Sequence, residues 1–208
     1  MKKNLIRRTA LVATAGAASL VLAACGSGDA ASGGHNGHGS ASSASPSAPA
    51  SQGRHNAADI TFAKGMIPHH RQAVEMADLA PDRAESVEVK KLAEEIKKAQ
   101  DPEIKTLSGW LASWGEQVPA EGAMDHSMHG TEGGMMTAEE MDSLKQSSGK
   151  AFDTAFMEMM IKHHEGAVAM AKTQKADGAY PKAKVMADAI TTSQTAEIAT
   201  MNSLLGKS

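Results

Sequence analysis

The chain has 208 residues, enough for one ordinary domain with appendages rather than two full domains. Aromatic residues make up 3%, methionines outnumber phenylalanines 14 to 3, and Ala, Met, Leu, Glu and Lys prevail over β-branched types, which disfavours a β-sandwich or barrel and favours helices. A formal net charge of −3, with no long basic run beyond the first eight residues, argues against nucleic-acid binding.

Lys2, Lys3, Arg7 and Arg8 open the chain and are followed by an apolar stretch from Leu11 to Leu22. These 12 residues fall short of the ~20 that a membrane-spanning helix needs, so residues 1–24 read as an export signal. The stretch ends in Leu22-Ala23-Ala24-Cys25, which resembles the lipobox of bacterial lipoproteins, where the cysteine is acylated and becomes the first mature residue. The expected location is the extracytoplasmic face of the cell membrane, with the lipid on Cys25. Arg7-Arg8 leaves open a twin-arginine rather than a general export route. Removing residues 1–24 takes four of the 21 basic residues, leaving 17 against 24 acidic ones and a net charge of −7. Cys25 is the single cysteine, so metal chemistry outside the membrane has to use His, Met or carboxylate.

Residues 25–57 contain the lipidated Cys25 and a run of Gly, Ser, Ala and Pro with almost no large apolar side chain. Such a run cannot bury enough surface to order itself and is expected to be a disordered tether with an rms reach of ~30 Å. His35, His38 and His55 lie within it.

The domain is expected over residues 58–207, and it is a duplication. Shifted by 94 residues, 59–111 aligns without a gap on 153–205, with 18 of 53 positions identical. Each unit reads as two helices. In the first helix Phe62, Met66, His69, His70, Ala73, Met76 and Ala77 follow the spacing of one helical face. Their counterparts are Phe156, Met160, His163, His164, Ala167, Met170 and Ala171. Pro81-Asp82 breaks the first unit, and Asp177-Gly178 with Pro181 breaks the second. The second helices carry apolar stripes, Val89, Leu92, Ile96, Leu107 and Trp110 in one and Met186, Ile190, Met201 and Leu204 in the other. Two such hairpins bury their stripes most simply as an all-α four-helix bundle. Pro68 and Pro102 must each kink a helix or start one, and a start at Pro68 would put His69 and His70 in a first turn.

Between the units, residues 118–137 are too rich in Gly and Met for a helix. Met124, His126, Met128 and His129 alternate there, with Met135 and Met136 following. Thioethers suit Cu(I) and imidazoles bind either oxidation state, so this loop has the make-up of a copper-capture segment.

Glu103 is the most informative residue within the units. At 100° per residue it falls about 20° from Leu92, inside the buried stripe, and Glu197 repeats the placement. A buried carboxylate is costly unless it is paired or metal-bound. Relative to Met66, His69 falls at about 300° and His70 at about 40°, so both flank the core-facing line. Duplicated tandem histidines facing a duplicated glutamate, with Met66, Met76, Met160 and Met170 nearby, are best explained by a metal site. The donors favour copper, as Cu(I) or Cu(II), over magnesium or calcium; zinc and iron stay open. The competing account fills the core with methionine and exposes one histidine of each pair.

The paired motifs Met66-Ile67-Pro68-His69-His70 with Ala73-Val74-Glu75-Met76-Ala77, and Met159-Met160-Ile161-Lys162-His163-His164 with Ala167-Val168-Ala169-Met170-Ala171, resemble the family known as domain of unknown function 305. Gln100, Glu103, Ile104 and Trp110-Leu111 also fit its pattern, and the resemblance covers residues 56–206. It implies a ferritin-like bundle and exported copper binding. The second unit lacks the proline before its histidines and the tryptophan, so the two sites are expected to differ.

The reading that follows is a membrane-anchored protein that sequesters or buffers copper, confers copper resistance or hands copper on to a partner the sequence does not identify, with no catalysis required. The alternatives are a ferritin-like di-metal oxidase and a structural or partner-binding bundle. Di-iron sites of that kind take four glutamates and two histidines. Each unit here offers one stripe glutamate and two histidines, which is poor in carboxylate for oxygen chemistry.

Overall fold

The computed structural model describes residues 53–121 and 132–207. The export signal, Cys25, most of the tether and the loop residues Met124, His126, Met128 and His129 lie outside the described residues. Those described are helical with no strand: α1 (Ala57–Asp78), a short α2 (Ala80–Arg83), α3 (Val87–Ser113), a 3-10 turn (Glu132–Gly134), α4 (Ala138–Gln146), α5 (Gly149–Asp177) and α6 (Pro181–Leu204). None of the described helices is long and apolar enough to cross a membrane.

Local chemistry sets the helix ends. Asn56 caps α1 through Asp59 in a reciprocal capping box, and Ser86 caps α3. Pro81 and Pro181 sit in the first turns of α2 and α6, where a missing N–H costs nothing. Pro68 and Pro102, by contrast, lie inside α1 and α3, which run through them. The helix-start alternative is therefore overturned: His69 and His70 lie mid-helix rather than in a first turn.

Each unit forms a hairpin, α1 with α3 and α5 with α6, and the hairpins meet through α1 and α5. Those two helices run antiparallel, since Asp59 meets Gln174, Gly65 meets Met170 and His69 meets His163. Two apolar clusters form along them. One gathers Phe62, Met66, Ile67, Leu107, Leu111 and Ile190, and the other Met76, Ile96, Phe152, Phe156, Met160 and Met201. Burying each such side chain contributes about 1.5–3 kcal/mol.

The duplication is visible in the contacts. Asp59 accepts hydrogen bonds from the backbone N–H groups of Ala179 and Tyr180, at the turn of the other unit. Asp153, its repeat counterpart, accepts from those of Glu85 and Ser86, the equivalent turn of the first unit. Each unit's leading aspartate thus fastens the other unit's hairpin.

Three expectations need correcting. The folded unit begins before residue 58: the His55 ring stacks on Trp114 at a centroid distance of 4.5 Å, and α1 starts at Ala57. Leu204 is 40% exposed, because α6 ends there and Leu205 turns onto the apolar cluster instead. Helix α4, beyond the Gly-rich loop, was not anticipated; Thr137 and Glu140 form its capping box, and Met141 and Leu144 bury against the bundle.

Candidate metal centre

Between the two apolar clusters lies a layer of four buried histidines. His69 and His70 come from the middle of α1 and His163 and His164 from the middle of α5, and none is more than 2% exposed. The account in which one histidine of each pair faces solvent is excluded. Ala73 and Ala167, one turn further on, are fully buried.

The ring nitrogens fall into two groups. His70 Nε2–H donates to Glu103 Oε2 at 2.7 Å, and His164 Nε2–H donates to Glu197 Oε2 at 2.6 Å. An ionised carboxylate can only accept, so in the neutral ring the proton sits on Nε2 and the lone pair on Nδ1. His69 Nε2–H donates to the carbonyl of Gly133 at 2.8 Å, which fixes the same tautomer. Among the described residues five buried nitrogens then find no hydrogen-bond partner of good geometry: Nδ1 of His69, His70 and His164, and both nitrogens of His163. A buried imidazole nitrogen left bare costs free energy unless something binds it.

Electrostatics keep the central pair unprotonated. Burial, then the charge of neighbouring His70, pushes His69 down to about 3; the Gly133 carbonyl opposes this and His164 adds to it. His163 is pushed well below its ordinary value by burial, then by His69, His164 and His70, with the backbone of His69 opposing. Both rings therefore offer lone pairs at neutral pH.

The glutamates differ from the expectation. Glu103 and Glu197 are not fully buried, each side chain being 20% exposed, and each binds an imidazole rather than standing alone in the stripe. A helix stripe is wide enough that a long side chain at its edge reaches both the core and water. Gln100 and Gln194, one turn earlier, are buried, and both amide atoms of Gln100 lack a partner among the described residues.

The methionines do not gather on the histidines as one set. Met66 and Met170 pack into one apolar cluster, Met76 and Met160 into the other, above and below the imidazole layer. Met170 is only partly buried.

Among the described residues no three His, Cys, Asp or Glu side chains already stand in ion-binding geometry. The cause is visible at the centre. The His69 and His163 rings lie 3.7 Å apart between centroids, tilted by 42°. Two imidazoles sharing one ion at about 2 Å from each nitrogen hold their centroids about 5–6 Å apart, so one ring has to turn before an ion can sit between them.

Sequence reasoning missed the backbone that crosses this layer. The Gly133 carbonyl bonds His69, and Gln72 holds Met136. Arg71 grips the carbonyls of Pro119 and Ala120 at 2.7 and 3.0 Å. A signal existed: positions 72 and 166 break the repeat, Gln against Gly, in the midst of matching residues.

The family model described as Domain of unknown function (DUF305) matches residues 59–205. A crystal structure of a DUF305 protein from Streptomyces coelicolor is 34% identical, with a TM-score of 0.64, covering 72% of this chain and 93% of that one. CopM in its Cu(I)-bound form is 34% identical with a TM-score of 0.59, covering 70% of this chain and 94% of that one. Its Cu(II)-bound form gives 35%, 0.61, and the same coverage of 70% and 94%. No curated protein is significantly similar to this chain.

Proposed function

The chain belongs to the DUF305 family, and from that premise we propose that it binds copper at the buried histidine layer and serves in copper sequestration or buffering. The observation that carries this reading is the set of five buried imidazole nitrogens left unpartnered among the described residues. Likeness to CopM, solved with both Cu(I) and Cu(II), supports the choice of metal.

In this reading His69, His70, His163 and His164 supply the ligand nitrogens. Glu103 and Glu197 hold His70 and His164 in the tautomer that presents Nδ1 and make those rings better donors. Met66, Met76, Met160 and Met170 surround the layer with soft, polarizable sulfur, which suits the cuprous state. Met124, His126, Met128 and His129 are proposed as capture residues from composition alone. The four long helices are taken as a ferritin-like bundle, held at the extracytoplasmic face of the membrane by a lipid on Cys25.

Copper, zinc and iron analysis of protein purified without a His-tag, with Cu(I) and Cu(II) titrations, tests this. The wild type should bind copper in preference to zinc or iron, and replacing His69, His70, His163 and His164 together by Asn should remove the tightest copper site. Undiminished tight copper binding in that variant would refute the core assignment.

A further inference from the structure

A short stretch of backbone, residues 133–136, crosses the histidine layer and meets its two halves differently. Gly133 and Gly134 both have positive φ, 84° and 76°, a conformation that favours glycine. The strap runs so close to α5 that a Cβ on Gly134 would lie 2.2 Å from the Lys162 carbonyl oxygen. A Cβ on Gly166 would lie 1.7 Å from the carbonyl oxygen of Gly133. On the α1 side, Gln72 accepts from the Met136 N–H at 2.7 Å and donates to the Met136 carbonyl at 2.8 Å.

Gln72 and Gly166 are the same position of the repeat, 94 residues apart. One unit uses a long amide there to hold the strap, and the other uses no side chain to make room for it. The outcome is unequal central histidines. His69 is tied at Nε2 to Gly133, whereas His163 makes no hydrogen bond of comparable geometry among the described residues and only approaches the backbone of His69.

Resting on the copper-binding reading above, we propose that this strap turns a symmetric centre into one with a fixed and a swinging ligand, and that Gln72 and Gly166 are its positioning residues. The 3.7 Å ring separation requires one ring to turn before an ion fits between them. Turning His69 breaks its 2.8 Å bond to Gly133; turning His163 gives up only a looser approach to the backbone of His69. His69 is therefore the anchored nitrogen that receives the ion, and His163 is the ring that moves to admit and release it.

The test has two readouts, one of which needs no metal. Long-range ¹H–¹⁵N correlation of the imidazoles in the apo-protein reads the tautomer of each ring. In the wild type His69 is expected as the single Nε2–H form. Gln72→Leu, close in volume but without the amide, should give a mixture of His69 tautomers and weaken Cu(I) binding about 10–100-fold. Its helical circular-dichroism signal should be unchanged. Gly166→Ala should act in the same direction; if it fails to fold, Gln72→Leu decides alone. An unchanged tautomer or an unchanged affinity in Gln72→Leu overturns the strap's role and leaves copper binding standing. A wild type that binds no copper overturns the copper reading itself, while the apo tautomer still reports whether the strap holds His69.

Discussion

At the scale of single residues, the carboxylates do the positioning. Glu103→Gln keeps the length of the side chain but removes the charge that fixes the His70 proton on Nε2. Copper affinity should fall about 10–100-fold, and the copper-induced rise in melting temperature should shrink with it. Glu197→Gln should act in parallel through His164. Equal titration curves for the wild type and both variants would rule this role out. Asp59 offers a prediction in acid. Burial alone would raise its carboxyl, but hydrogen bonds from Gln174, Asn56, Ala179 and Tyr180 hold it below the usual carboxylate range. A depressed acid contributes stability that is fully present above the unfolded value and is lost as pH falls through the folded one. Asp59→Asn should therefore cost about 2 kcal/mol near neutrality. The cost should dwindle below about pH 4, which urea unfolding at pH 7 and pH 3.5 would measure. The four histidines and two glutamates were readable because helical spacing and duplication place them. The Gly133 carbonyl was not, because a backbone atom carries no sequence identity.

At the scale of elements, the segment between the units is held at both described ends by α1. Arg71 grips Pro119 and Ala120, and His69 and Gln72 grip Gly133 and Met136. Replacing Met124, His126, Met128 and His129 by Ser preserves the length between those grips. The variant should bind less copper per chain while keeping its helical signal, and an unaltered copper count from metal analysis would reduce the segment to a connection. The long helices were legible from periodicity, since each carries a stripe bounded by Pro, Gly or a capping residue. Pro68 and Pro102 left helix interior and helix start open in the sequence, and packing on both sides, which outweighs one lost backbone bond, decides for the interior. Helix α4 was overlooked for a different reason: its nine residues bury only Met141 and Leu144, too few for a periodic signal, although the capping box at Thr137 and Glu140 marks its beginning.

At the scale of the whole molecule, the all-helical class followed from composition and the two-unit organisation from the 94-residue repeat. How the units meet could not be read, because the pairing of α1 with α5 depends on contacts far apart in the chain. The paired aspartate fastenings carry a consequence for folding. Because each hairpin's turn is tied down by the opposite copy, half of this molecule is a fragment with loose ends, and two halves complete one another. That is the arrangement of a self-complementary homodimer, in which one patch meets its own image across a dyad. The histidine layer sits where the two copies meet, His69 from one against His163 from the other, so neither half holds the layer by itself. Fragments 53–118 and 132–207 should each be poorly helical alone and should gain helicity on mixing. The gain should be weakened by Asp59→Asn or Asp153→Asn, and circular dichroism of the separate and mixed fragments would show it.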